Sequence, residues 1–262
     1  MTDEKAPDMA GPRIALLSPG VTSPGVTSLD AEGLASAYAV SDRRVPTLRM
    51  NFITSLDGSA TVKGLSGGLG GPADKLVFDT LRRLADVVLV GAGTVRAEGY
   101  GAMRLSDADA AWRQARGLAA QPAFALVSGR LDLDPTSDVF AKAPVRPLVL
   151  TSASAPADAR AALDSVADVI SCGEEHVEPQ RILDALVERG LTQILCEGGP
   201  RLFGTFLEAD LVDELCLTVS PLMEGGAGIR ISRGESEAAR RMRLVHVLES
   251  DGLLLTRYAR GR

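Results

Sequence analysis

The chain has 262 residues, 45% hydrophobic and 24% charged, with a formal net charge of −6. That is enough for a sizeable core, in one large domain or two small ones. Lys and Arg form no stripe, which argues against a nucleic-acid partner. No run approaches the ~18 apolar residues of a membrane span, and the acidic start MTDEKAPDMAGPR does not read as a secretory leader.

In chain order, residues 1–45 read as an N-terminal arm, with a disordered tail at 1–12. A short apolar piece, a Ser/Gly/Pro-rich stretch from Ser18 to Ser28 and a helix from Asp30 to about Ala39 follow. The body, 46–262, then alternates. Thr47 to Ser55 is strand-like. Pro72 to Ala85 is a helix, with Pro in its first turn and Val77, Leu81 and Leu84 on one face. Asp86 to Val90 is uniformly apolar after its first residue, the pattern of a strand covered on both faces. Pro122 to Ser128, Pro147 to Ser152 and Asp168 to Cys172 repeat it. Helices are expected over Pro156 to Val166 and Pro179 to Arg189, the second stopped by Gly190. Gln193 to Cys196 is a strand, and a helix follows with Leu202, Phe203, Phe206 and Leu207 buried. Leu215 to Pro221, Leu244 to Leu248 and Gly252 to Tyr258 read as strands, the last two joined by a hairpin at Asp251-Gly252. The expected fold is α/β, a mostly parallel sheet with antiparallel C-terminal edge strands and flanking helices.

Cys172, Cys196 and Cys216 are far apart in strand-like runs, which points to buried free thiols in a reducing cytoplasm. His176 and His246 have no Cys or His nearby in sequence, so no metal site is expected.

Ligands of open α/β sheets bind beyond the carboxyl ends of the strands, and four loops there carry candidate chemistry. The first runs from Thr54 through Ser55, Leu56, Asp57 and Gly58 into a glycine-rich stretch, Lys63 to Gly71. Such a loop suits a lid or a plain surface connection. Asp57 orients a substrate amine, or supplies a proton, or merely caps a turn. The second is Gly91-Ala92-Gly93-Thr94-Val95. It lets backbone approach a ligand, but Arg96 replaces the third glycine of a dinucleotide fingerprint. The third is Ser128-Gly129-Arg130. A hydroxyl and a guanidinium suit a 2′-phosphate there; an exposed loop arginine is the plain alternative. The fourth, Glu197-Gly198-Gly199-Pro200-Arg201-Leu202-Phe203, opens a helix whose first turn suits a pyrophosphate. Glu197 stands where a carboxylate pairs with an amino-pyrimidine edge or merely flanks the helix start. No nucleophilic triad, metal spacing or Walker motif is visible, which leaves chemistry borne by a cofactor.

The order SLDG, GAGTV, strand–SGR and EGGP resembles the C-terminal reductase domain of the riboflavin-biosynthesis deaminase-reductases, over about residues 46–260, and more distantly dihydrofolate reductases. No zinc-deaminase signature occurs, as in a stand-alone reductase. The resemblance implies a dihydrofolate-reductase-like fold, NADPH as cofactor, a cytoplasmic homodimer, and reduction of a ribosylamino-pyrimidine 5′-phosphate to its ribitylamino product. It implies NADPH contacts at Thr94 and Glu98, a 2′-phosphate loop at Ser128 and Arg130, and a pyrophosphate segment at Gly199, Pro200, Arg201, Leu202 and Phe203. Thr54, Gly91, Val95 and Gly198 complete the cofactor set. Glu197 is implied to touch the pyrimidine, and Asp57 to act beside the nicotinamide. The family's Asp-Asp-Pro or Asp-Asn-Pro after GAGTV is replaced here by Ala97-Glu98-Gly99-Tyr100, and Arg104 only approximates the arginine that grips substrate. That departure keeps open a pterin-like substrate such as dihydrofolate. An NADPH-binding regulatory protein is the alternative outside enzymes.

Overall fold

A computed structural model describes residues 12–17 and 27–261. The expected N-terminal tail and most of the Ser/Gly/Pro-rich stretch lie outside the described residues. The elements are β1 (Ile14–Leu17), β2 (Thr27–Leu29), α1 (Ala31–Tyr38), β3 (Thr47–Thr54), α2 (Pro72–Leu84), β4 (Val87–Gly91), α3 (Ala92–Glu98), α4 (Asp107–Gln114), β5 (Ala123–Val127), α5 (Asp138–Ala141) and β6 (Leu148–Thr151). They continue as α6 (Ala157–Asp164), β7 (Asp168–Ser171), α7 (Pro179–Val187), β8 (Gln193–Cys196), α8 (Pro200–Glu208), β9 (Glu214–Val219), β10 (Met242–Ser250) and β11 (Leu253–Arg260).

Among the described residues, eleven strands form one sheet in the order β2-β1-β10-β11-β9-β3-β8-β4-β5-β6-β7. From β9 to β7 every neighbour is parallel; from β2 to β9 every neighbour is antiparallel. This is the expected α/β sheet. β4 is buried through Val90 because both faces are covered. Val88 and Val90 join α1 and α2 in one apolar cluster. Val87 and Leu89 join α7 and α8 in the other. The two-residue period of a strand alone sends alternate side chains into opposite layers.

Three local expectations change. Residues 14–17 and 27–29 are strands, with β1 paired to β10 at Leu16↔Leu248, so the N-terminal segment extends the sheet itself. β7 is an edge strand, exposed at Asp168 and Ser171, rather than covered on both faces, and Cys172 lies just beyond it. The helix α4 carried no apolar stripe in sequence because the side chain it buries is Arg113, whose guanidinium donates to the carbonyls of Arg83, Ala85 and Ala119.

Turn chemistry is local. Asp30 caps α1 by accepting from the Gly33 N–H at 2.7 Å. Asp251 and Gly252 take φ of +51° and +82°, the left-handed pair that closes the β10–β11 hairpin. A buried cluster ties α1 to the antiparallel half. Glu214 accepts from Arg49 and Arg257, and those arginines also donate to the carbonyls of Tyr38, Ala37 and Ala39. Burial works against the Glu214 carboxylate, but the two guanidiniums hold it below its usual range. Among the described residues no helix is long and apolar enough to cross a membrane.

Candidate active site

A cavity of about 490 Å³ opens at the carboxyl ends of β3 and β8, between the glycine-rich loop, α2, α3 and the start of α8. Its size is that of a small-molecule site. A second cavity, about 340 Å³, lies at the other end of β8, lined in part by Trp112, Arg43, Arg49 and Arg116. Those three guanidiniums already have acceptors in Asp86, Glu214 and Glu32. The first cavity holds the candidate chemistry.

Part of its inner wall is Glu197, whose carboxylate is paired with an arginine that does not itself line the cavity. Arg82, in the last turn of α2, donates from Nε and Nη2 to the two oxygens of Glu197, each at 2.7 Å. The Tyr100 hydroxyl donates to Glu197 Oε2 at 3.1 Å. The Glu197 side chain is 1% exposed. The Arg82 guanidinium lies over the Phe78 ring at 4.1 Å and faces Tyr100 at 5.8 Å. Burial and the adjacent carboxylate push the Tyr100 phenol up, so it stays protonated and donates.

The adjoining part of the wall is backbone. The Gly91 N–H donates to the Gly198 carbonyl at 2.8 Å, joining the ends of β4 and β8. The Gly198–Gly199 peptide is cis. A Cβ at Gly199 would lie 2.2 Å from Thr94 Oγ1, so any larger residue there forces the Thr94 side chain to move. Pro200 occupies the first turn of α8, and no side chain caps that turn or the first turn of α3. Gly93 has open space where a Cβ would stand. Uncapped N–H groups beside bare glycine backbone are a donor set suited to phosphate oxygens. Glu98 lines the cavity and accepts from the Ser66 N–H at 3.0 Å, tying α3 to the glycine-rich loop.

Of the residues singled out from sequence, Thr94, Glu98, Glu197, Gly199 and Pro200 line this cavity. Gly91 and Gly198 support it through backbone. Val95, Leu202 and Phe203 are core side chains, Phe203 packing on Phe52 with ring centroids 4.9 Å apart. Thr54 donates its hydroxyl to the turn at Ser59. Ser128 is buried at the end of β5, Arg201 is exposed, and Arg130 is exposed with no partner among the described residues.

Two expectations are corrected. Asp57 does not line the cavity. Its carboxylate accepts from the Ser55 hydroxyl and the backbone N–H groups of Gly225, at 2.6 Å, and Glu224, at 3.2 Å. Those hydrogen bonds, the Ser55 hydroxyl first, lower it to about 2, so it is an ionised clasp between loops and no proton donor. Arg104 is exposed and points to the Lys142 carbonyl, away from the cavity. Glu197 lines the cavity while accepting from Arg82 and Tyr100. Asp74, Phe78 and Arg82 were missed. They stand at i, i+4 and i+8 on α2, a stripe beside its apolar face, and that spacing was readable.

The chain matches the family model of the RibD C-terminal domain over residues 46–255. It is 30% identical over 185 residues to a 2,5-diamino-6-ribosylamino-4(3H)-pyrimidinone 5′-phosphate reductase of Archaeoglobus fulgidus, covering 69% of this chain and 83% of that one. It is 29% identical to the riboflavin biosynthesis protein RibD of Mycobacterium tuberculosis over 184 residues, 70% of this chain but 44% of that relative, so it spans about half that relative's length. The solved structure of a pyrimidine reductase-like protein from Corynebacterium diphtheriae superposes with a TM-score of 0.81 at 30% identity, covering 89% of this chain and 100% of that one.

Proposed function

The chain belongs to the RibD C-terminal domain family, a family of reductases, and we propose that it is an NADPH-dependent reductase whose substrate presents an amino-pyrimidine edge. One observation carries this reading: an uncapped helix start and a buried, hydrogen-bonded carboxylate face the same cavity. The first suits the phosphates of a dinucleotide. The second, with Tyr100, suits a ring bearing N–H and carbonyl groups.

The bare backbone at Gly91, Gly93 and Gly199 would let a dinucleotide approach the chain closely, with open space at Gly93 and the Thr94 hydroxyl beside Gly199. Gly198, Gly199, Pro200, Arg201, Leu202 and Phe203 would hold the pyrophosphate, Thr94 and Glu98 the adjoining part, with Thr54, Gly91 and Val95 supporting them. Ser128 and Arg130 would hold the 2′-phosphate. Bound NADPH supplies a hydride. The protein's own part is to orient the ring against Glu197 and Tyr100, to exclude water with the glycine-rich loop, and to provide a proton.

The family reading makes the substrate a ribosylamino-pyrimidine 5′-phosphate, as in the A. fulgidus relative. A pterin-like substrate such as dihydrofolate is favoured by a specific observation. The lining carries Asp74, Glu98 and Glu197 against one cation, Lys75, while Arg104 lies outside. A phosphate calls for a cationic clamp, and an amine-bearing ring does not. The test is NADPH oxidation with each compound in parallel. Turnover of the pyrimidine phosphate alone supports the first substrate, and of dihydrofolate alone the second. NADPH bound with neither reduced overturns the enzyme reading in favour of a regulatory binder.

A homodimer belongs to the same proposal. Leu17, Leu244, Val245 and Leu254 on the antiparallel strands are exposed, and sedimentation at two concentrations checks whether a second copy covers them.

A further inference from the structure

We propose that the second cavity, at the amino ends of β3 and β8, is a binding site for a small organic anion, an apolar body carrying a carboxylate or a phosphate. The proposal goes beyond the reductase reading and does not depend on it, because the two cavities share no lining residue.

The cavity has a volume of about 340 Å³, within the range of small-molecule sites. It lies where Thr47 of β3 pairs with Gln193 of β8, between α1, the last turns of α2 and Trp112 of α4. Its apolar lining includes Leu81 and Leu84 of α2, Leu118 beyond α4 and Ile194 of β8.

Its charge is the reverse of the first cavity's. Arg43, Arg49 and Arg116 line it against one carboxylate, Glu32; Asp74, Glu98 and Glu197 line the other against Lys75. Asp86 and Glu214, which pair with Arg43 and Arg49, stand outside the lining. These pairs leave donors over, since a guanidinium carries five N–H groups. Arg43 donates through Nη1 and Nη2, Arg49 through Nε and Nη2, and Arg116 through Nη1 and Nη2. Among the described residues Arg43 Nε, Arg49 Nη1 and Arg116 Nε donate to nothing. An anion therefore need break no ion pair to be held. The Arg116–Glu32 pair is also the most exposed of the three, at 44% and 59%, so Arg116 turns to a ligand at little cost.

Water alone fills many polar gaps between helices. Such a gap does not require three arginines, drawn from before β3, from β3 itself and from beyond α4, to border one apolar-walled space. Carboxylate and phosphate recognition does, because the guanidinium fork matches both anions. The leucines and Ile194 take the apolar body.

Trp112 is the one tryptophan of the chain and lines this cavity, so its fluorescence reports occupancy here without turnover. Benzoate and phenyl phosphate are titrated against the full-length protein, beside benzamide, the neutral analogue, and benzamidinium, the cation of similar shape. The expected result is a saturable change in emission with at least one anion, about tenfold tighter than with benzamide, and none with benzamidinium. The stronger anion tells carboxylate from phosphate. Calorimetry then compares variants, since the Arg116 guanidinium lies 3.8 Å over the Trp112 ring and its loss alters the emission itself. Arg116→Gln is expected to weaken the anion about tenfold, the worth of a charge-assisted hydrogen bond. Ser36→Phe, on the α1 side of the lining, fills the space and is expected to abolish binding. Both positions are exposed, so the fold is expected to survive. Arg243→Gln, an exposed arginine of β10 outside the lining, is expected to leave the affinity unchanged. No saturable response to either anion overturns the proposal. So does an equal response to benzamide or benzamidinium, an affinity unmoved in both Arg116→Gln and Ser36→Phe, or equal weakening in Arg243→Gln.

Discussion

Arg82 and Glu197, 115 residues apart in sequence, meet in two parallel hydrogen bonds of 2.7 Å each where Glu197 lines the cavity. The pair is almost wholly buried on the Glu197 side and partly roofed by Phe78. Removing one partner strands a buried charge, which costs far more than the intact pair contributes. Arg82→Ala is therefore expected to lower stability by about 3–5 kcal/mol, read from urea denaturation midpoints. Glu197→Gln keeps the shape and is expected to raise the substrate KM or lower kcat with NADPH binding nearly intact. Equal, small effects on every parameter in both variants would contradict this assignment.

Asp57 makes a different prediction. Its carboxyl is held down to about 2, below the ordinary aspartate range, because the Ser55 hydroxyl and two backbone N–H groups stabilise the carboxylate. A lowered acid contributes stability above its unfolded pKa and loses it as pH falls through the folded one. Asp57→Asn is expected to melt below wild type at pH 7, with the gap closing between about pH 4 and pH 2. Thermal melts across that range check it. A gap unchanged at pH 2 would show that the clasp is not electrostatic.

Gly199→Ala puts a Cβ 2.2 Å from the Thr94 hydroxyl. The expected outcome is about tenfold weaker NADPH binding, or about 1.4 kcal/mol, with the fold retained, because a side-chain tip can yield where backbone cannot. Thr94→Ala in the same chain removes the colliding atom and is expected to restore part of the affinity. Gly204→Ala is harsher. Its Cβ would sit 2.1 Å from the Arg233 carbonyl oxygen, a backbone atom, so loss of soluble protein or a large fall in melting temperature is expected.

Arg130 is exposed and free of partners among the described residues. If it grips a 2′-phosphate, Arg130→Ala is expected to weaken NADPH about ten- to hundredfold, the worth of a charge-assisted hydrogen bond, and to leave NADH nearly untouched. Titration of both cofactors by fluorescence decides it; equal weakening refutes the role.

Much of the fold was legible because its signals are local. The Pro at the first turn of α2, the uniformly apolar β4 and the Asp251-Gly252 turn each act within a few residues. The site was legible only in part. Glu197, Thr94, Glu98, Gly199 and Pro200 stand at strand ends, where topology alone predicts ligands, and they line the cavity. Asp57 and Arg104 were drawn from motif position and lie elsewhere. Arg113 hid α4, since periodicity counts apolar residues and this helix buries an arginine. β1 escaped because its partner, β10, lies more than 220 residues away.

By itself the sequence determined the alternation of strands and helices, the parallel half of the sheet, and the loops that gather at its carboxyl edge, because periodicity, turn residues and caps act over a few neighbouring residues. Only the tertiary structure decided that Arg82 neutralises Glu197, that Asp57 is a clasp, and that Asp74 and Phe78 of α2 line the same cavity. Charge pairing and burial depend on which distant side chains share a volume, and that is a property of the packed sheet rather than of any stretch of chain.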